Sequence, residues 1–316
     1  MEDTTRRNII AVDVGGTKVA CGIVTFDGTA PAVRAVETVP TDAQRGGRAV
    51  LATVIAAART VREGFGGEVV GIGVSSAGVV DPRSGVITFA NDLMPGWGGM
   101  PLGPELEHAL DLPTSVMGDV HAHALGEARW GAGRDYASCL VVAVGTGIGG
   151  AFVERGSVML GAHNVAGHVG HVACAEAVGI PCACGAVGHL EPVASGPGIA
   201  AGYARLTNTS VDGREVARRA ASGDLDAVTA LSQAGRALGS TLGSLCNVLD
   251  PAVIILSGSV AASGQIWREA LDVGFASQAM APVATTPVIM GLLGGNAPLV
   301  GAAENHIRPA YAELRP

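Results

Sequence analysis

Residues 8–28 read NIIAVDVGGTKVACGIVTFDG, and this stretch decides the fold. Ile9 to Val12 form a short apolar run, Gly15 and Gly16 punctuate it, and Val19 to Val24 resume the β pattern. A strand, a tight glycine turn and a second strand are therefore expected. The same plan returns at 138–153, SCLVVAVGTGIGGAFV. A β-turn-β unit thus occurs twice, at 9–24 and 139–153, and each opens a half that continues into mixed helices and strands. This weak repeat predicts an α/β protein of two related lobes with a cleft between them. The boundary is expected near residue 120.

Outward from the two turns, residues 46–63 are rich in Ala and Val with arginines at helical spacing, which predicts an amphipathic helix. VVGIGVSSAGVVD at 69–81 reads as a buried strand ending in a glycine turn. SVMGDVHAHALGEARWGAG at 115–133 reads as a strand into a helix, with Asp119 at or near the helix start. AGRALGSTLGSLCNVLDPAVIILSGSV at 234–260 reads as a helix, a Pro-containing break, a strand and a Gly/Ser turn.

Composition bounds the class. Of 316 residues, 48% are hydrophobic and 15% charged, which fits a soluble globular chain and excludes a disordered one. No apolar run is long enough to span a bilayer, and the polar start MEDTTRRN does not read as a secretory signal, so the cytosol is the expected compartment. A net charge of −8 excludes a nucleic-acid surface, which needs clustered cations. Six cysteines in such a chain favour metal ligation or inert burial over disulfides. Lys18 is the single lysine, and it sits inside the first glycine motif.

The motifs carry specific chemistry. In DVGGTK, a glycine turn between strands exposes backbone N–H groups that can cradle phosphate oxygens. Asp13 can hold a hydrated Mg²⁺, and Thr17 and Lys18 offer further donors. VGTGIGG at 144–150 superficially matches a dinucleotide fingerprint, but AFVERGSVML follows it where that fingerprint needs a helix. A second phosphate-binding hairpin fits better. Asp119 reads either as a helix N-cap or as a carboxylate that accepts a proton from a substrate hydroxyl. In the stretch 165–192, His171, Cys182, Cys184 and His189 supply two nitrogen and two sulfur ligands, enough to close a tetrahedral structural Zn²⁺ site. His168 or Cys174 could replace one of them.

Together, DVGGTK, SSAGVVD, GDVHAHALGE, VGTGIGG, AGHVGH followed by CACGAVGHLE, and LSGS occur in the order found in the ROK family of sugar kinases, and the chain resembles a glucokinase of that family along essentially its whole length. The resemblance implies an actin-like, ribonuclease-H-like fold. It implies a small lobe of residues 1–119 joined by a C-terminal helix at about 301–316, and a large lobe of residues 120–300. ATP and Mg²⁺ would be used, with Zn²⁺ structural. Asp119 would be the base that activates a sugar's primary 6-hydroxyl. Gly15, Gly16, Thr17 and Lys18 would face the phosphates with Asp13 near Mg²⁺, and Gly145, Thr146 and Gly147 would form the second phosphate turn. Gly258, with Ser257 and Ser259, would lie near the adenosine. Gly78, His171 and Glu191 match sugar-contacting positions, and the metal would fix the loop that carries Glu191.

Three positions depart from the family pattern. Gly118 stands where Asn usually precedes the catalytic Asp, His168 stands for a Glu, and His189 stands for a third zinc-loop Cys. The last is chemically conservative. The first two remove polar contacts to ring hydroxyls, which puts an amino sugar such as kanosamine or a C7 cyclitol beside glucose as the expected substrate. The resemblance also implies a homodimer or tetramer, with a sugar and ATP as the only other partners. A sugar-sensing transcription regulator is the reading from another class; its DNA-binding helices would precede the first strand, where about eight residues stand.

Overall fold

The computed structural model describes residues 6–311. They form two compact units, one of residues 6–135, 153–166 and 292–311, the other of residues 136–152 and 167–291.

In the first unit the strands are β1 (Arg7–Val14), β2 (Lys18–Phe26), β3 (Ala32–Pro40), β4 (Gly71–Ser76), the short pair β5 (Val79–Asp81) and β6 (Val86–Phe89), and β7 (Thr114–Gly118). The main sheet runs β3-β2-β1-β4-β7. The glycine turn makes β1 and β2 an antiparallel hairpin, with Val14 opposite Val19. β4 pairs parallel with β1, and β7 parallel with β4. The sequence of β1 explains its place. Ile9, Ile10, Ala11 and Val12 are all fully buried, as a strand covered on both faces requires. Ile10, Val12 and Val14 pack with α1 (Gly47–Phe65) and α2 (Leu102–Leu110) on one face. Ile9 and Ala11 pack on the other with Leu299 and Ala303.

That other face is covered by α3 (Asp119–Trp130) and, within the same unit, the helix Ala297–Ile307. The two helices cross so closely that a Cβ on Gly301 would run into the Ala122 carbonyl. This packing separates the observed division from the expected boundary near 120. α3 stays with the first unit because its partner helix does, so that unit extends to residue 135 and takes back residues 153–166 and 292 onward. The expected C-terminal helix at about 301–316 begins earlier, at Ala297, and ends at Ile307. Residues 312–316 of that expectation lie outside the described residues.

The second sheet runs β10-β9-β8-β11-β12, with β8 at Ser138–Val144, β9 at Ile148–Glu154, β10 at Ser157–Val158, β11 at Val253–Ser257 and β12 at Val288–Met290. β11 pairs parallel with both β8 and β12. In the second unit stand α4 (Glu191–Ala194), α5 (Gly196–Thr207), α6 (Gly213–Ala221), α7 (Leu225–Leu249) and α8 (Gln265–Gln278), while α9 is the Ala297–Ile307 helix already described. Leu140, Val142 and Val144 of β8 share one core with Leu231, Leu238 and Leu242 of α7. Helices against mixed sheets, antiparallel at the glycine hairpins and parallel beyond them, are the α/β class expected from the two glycine turns. Among the described residues no helix is long and apolar enough to cross a membrane.

Candidate active site and metal centre

The first unit gathers its functional side chains at one sheet edge. β1, β4 and β7 are parallel neighbours, so their carboxyl ends lie together, the edge where open α/β sheets bind ligands. Asp13 closes β1, in register with Ser75 of β4. The Ser75 hydroxyl is fully buried and donates to Asp13 Oδ1 at 2.6 Å. Burial pushes the Asp13 carboxyl up, while the Ser75 bond and the Lys18 charge pull it back. Gly15 to Lys18 form the first turn, closed by the Gly15 N–H donating to the Lys18 carbonyl at 3.0 Å. Thr41 steadies it twice: its hydroxyl donates to the Gly15 carbonyl at 2.6 Å, and its N–H to the Thr17 carbonyl at 3.0 Å. Gly16, Thr17 and Lys18 are exposed, and a Cβ on Gly16 would meet nothing within 4 Å, so a ligand can approach this backbone closely.

Asp119 follows β7 as the first residue of α3, with Gly118 in the N-cap position. The cap reading survives only in part, since Asp119 Oδ1 accepts from the adjacent Val120 N–H at 2.8 Å rather than from a later turn. Burial pushes the Asp119 carboxyl up to about 6, and the Asp13 carboxylate adds to the rise. Gly78 turns the chain after β4 at φ +95°, and a Cβ there would lie 2.7 Å from the Phe89 carbonyl, so both backbone and space demand glycine.

The second unit carries the second turn and the metal loop. Gly145 N–H donates to the Gly147 carbonyl at 2.9 Å, which closes the turn around Thr146. Glu191 Oε2 accepts from the Ile148 N–H at 2.8 Å, and a Cβ on Gly147 would lie 2.7 Å from that oxygen. The Ser257–Ser259 turn follows β11. Gly258 has φ +89°, and the Val260 N–H donates to the Val144 carbonyl at 3.0 Å, which sets this turn beside the second glycine turn.

His171, Cys182, Cys184 and His189 bring one donor atom each within 4.8 Å of one another. Cys182 Sγ lies 3.6 Å from His171 Nδ1, and Cys184 Sγ lies 3.2 Å from His189 Nδ1. Zinc bonds of about 2.3 Å to sulfur and about 2.1 Å to nitrogen, at a tetrahedral angle, separate S and N by about 3.6 Å. The donor set and its spacing therefore fit Zn²⁺, with no fifth donor in the group. Burial holds His171 below its ordinary pKa, which favours the neutral imidazole that binds metal. Cys174 faces elsewhere: its thiol donates to Glu176 at 3.0 Å, and burial pushes it up to about 12. The His168 ring stacks on His171 with centroids 6.1 Å apart, outside the donor group. The metal loop runs straight into the turn brace. Fully buried Leu190, between His189 and Glu191, donates its N–H to the Val172 carbonyl at 3.0 Å.

The profile of the ROK family matches residues 9–306. The chain belongs to the ROK family. It is 30% identical to a glucokinase of Halalkalibacterium halodurans over 92% of each chain. It is also 30% identical to an N-acetylmannosamine kinase of Escherichia coli O139:H28, over 79% of this chain and 82% of that one. The crystal structure of a ROK glucokinase from Streptomyces griseus in complex with glucose and AMPPNP aligns with a TM-score of 0.80 at 28% identity, covering 94% of this chain and 98% of that one. The fold is the actin-like α/β fold of these ROK kinases. Ser75 and Thr41 escaped the sequence reading. Both act through strand pairing or a loop far along the chain, and only the parallel register of β1 and β4 puts Ser75 beside Asp13.

Proposed function

We propose that this ROK protein is an ATP-dependent kinase that phosphorylates the primary 6-hydroxyl of a hexose or modified hexose, with Asp119 as general base. The observation that carries the reading is Asp119 itself. It stands where parallel strands end, its carboxyl is raised to about 6, and it is thus ionised at neutral pH yet basic enough to take a proton. In the proposed step the Asp119 carboxylate accepts the hydroxyl proton as that oxygen bonds to the γ-phosphorus of ATP. The bond from that phosphorus to the bridging oxygen breaks, and ADP leaves.

Gly15, Gly16, Thr17 and Lys18 would offer backbone and side-chain donors to the phosphates, as would Gly145, Thr146 and Gly147. Gly258 with Ser257 and Ser259 serves the adenosine. Mg²⁺, held through Asp13, would neutralise developing phosphate charge. Zn²⁺ on His171, Cys182, Cys184 and His189 would cross-link the loop that ends in Glu191, and leaves His171 Nε2 for the sugar. Gly78, His168 and Glu191 complete the sugar contacts in this reading, and the glucokinase and N-acetylmannosamine kinase relatives support a hexose-like substrate. Gly118 and His168 favour an amino sugar or a cyclitol over plain glucose. Phosphorus and carbon NMR of the product from a panel of hexoses, hexosamines and cyclitols tests the assignment. A phosphate on the exocyclic carbon is expected; a phosphate on a ring hydroxyl, or no product from any of them, contradicts it.

A further inference from the structure

Thr41 stands just past β3 and reaches back 26 residues in the chain to the first glycine turn. It is 1% exposed, and a buried hydroxyl has to be matched with a partner. Its partners are two carbonyls of the turn: the hydroxyl donates to Gly15 at 2.6 Å, and the N–H to Thr17 at 3.0 Å. The two bonds do different things. Pro40 lies opposite Lys18 at the end of the β2–β3 pairing, so the Thr41 N–H extends that ladder by one bond. The hydroxyl extends no ladder and holds the peptide between Gly15 and Gly16. A peptide flanked by two glycines has little intrinsic preference for one orientation, so the outside bond sets it. In a trans peptide the N–H points opposite to the carbonyl of the same unit, and no peptide among the described residues is cis. With the Gly15 carbonyl drawn to buried Thr41, the Gly16 N–H is turned away from it. Gly16 is exposed, and a Cβ there would meet nothing within 4 Å.

We infer that Thr41 is a positioning residue of the nucleotide site: by holding the Gly15 carbonyl it aims the Gly16 N–H at a phosphate oxygen. The inference rests on the ATP-dependent reading above and deepens it, from a set of donors to the residue that orients one of them. An N–H that donates to an anionic oxygen makes a charge-assisted bond, and that bond weakens steeply when the donor is misaligned. A Gly15–Gly16 peptide free to turn would therefore lose it. Lys18 would still offer the phosphates its charge, which acts as a point charge and needs no such alignment. The part of nucleotide binding that depends on Thr41 is thus directional, and it is confined to the phosphates.

The test uses Thr41→Val, which keeps the shape and removes the hydroxyl, and Thr41→Ser, which keeps the hydroxyl. Affinities for ATP and ADP with Mg²⁺, and for adenosine, are measured by calorimetry, with thermal melts as a folding check. Amide NMR follows the Gly16 N–H, and coupled ADP release follows transfer to the sugar panel. Thr41→Val is expected to weaken ATP and ADP by about tenfold and adenosine by less than about twofold. Thr41→Ser should keep ATP affinity within about threefold of wild type. ATP, and not adenosine, should shift the wild-type Gly16 amide downfield, a measurement that needs no variant to fold. A folded Thr41→Val that binds ATP within about twofold of wild type overturns the inference. So does a loss shared equally by ATP and adenosine, which marks a purely structural role, or a Gly16 amide that bound ATP leaves in place. The expected binding pattern with no phosphoryl transfer to any sugar overturns the kinase reading alone. A wild type that binds no ATP overturns both.

Discussion

The two glycine turns share a sequence plan and differ in what holds them. The first, Gly15 to Lys18, is steadied from outside its hairpin by Thr41, through a hydroxyl and an N–H. The second, around Thr146, leans on Glu191, a carboxylate supplied by the loop that carries His171, Cys182, Cys184 and His189. The first turn leaves open space over Gly16, whereas Gly147 faces the Glu191 oxygen. A repeated motif can therefore be braced by a single hydroxyl residue in one copy and by the carboxylate of a long loop in the other. Structural zinc, on this view, would act on the second turn through Leu190 and Glu191.

The largest effect expected to separate the two turns is loss of the proposed metal. Chelation, or Cys182→Ala, should lower the melting temperature by about 5 °C or more and weaken nucleotide binding, while the β1–β2 hairpin keeps its amide protection from exchange. Equal loss of protection at Gly15 to Lys18 would break the contrast. A smaller effect comes from the brace itself. Glu191→Ala leaves the Ile148 N–H without its acceptor, at a cost of about 1–3 kcal/mol. Gly147→Ala presses a methyl on the same carboxylate and should cost a similar amount by denaturant unfolding. Made together, the two changes should cost less than their sum, because the small side chain at 191 relieves the clash. The smallest effect belongs to Gly16→Ala, which meets no atom and should leave stability within about 0.5 kcal/mol of wild type.

The hairpins, the class of fold and the clustering of His171, Cys182, Cys184 and His189 were legible because each is local: alternating apolar runs, paired glycines and closely spaced donors. The expected helix at 46–63 is found as Gly47–Phe65 for the same reason. What escaped is non-local. Ser75 meets Asp13 only through a parallel pairing of strands 62 residues apart, and Glu127 shows the same difficulty, because its carboxylate accepts from the N–H groups of Leu292 and Leu293 across the chain. Nothing periodic in the sequence announces such bonds. The unit boundary was displaced for that reason too, since α3 is kept in the first unit by a helix that begins at Ala297. Glu191 was singled out by resemblance alone, as a sugar contact; its bond to the Ile148 N–H was not visible in the order of residues.

Asp119 also ties activity to stability through pH. Its carboxyl is raised in the folded state to about 6, so the stability it contributes is present below the ordinary carboxylate range and is lost as pH rises through about 6. As the proposed base it would run the opposite way, since only the ionised form accepts a proton. Asp119→Asn removes both, and should melt higher than wild type at pH 8 while turning over more slowly.

The most direct measurement is coupled ADP release by wild type and Asp119→Asn, with saturating ATP, Mg²⁺ and the best sugar of the panel, between about pH 5 and pH 9. The expected wild-type kcat climbs on the acid side through about 6 and then levels. The variant is expected to be slower by about 10²–10⁴ and to lack that acid limb. A variant that keeps wild-type turnover, or a wild-type profile with no acid limb, would contradict Asp119 as the base.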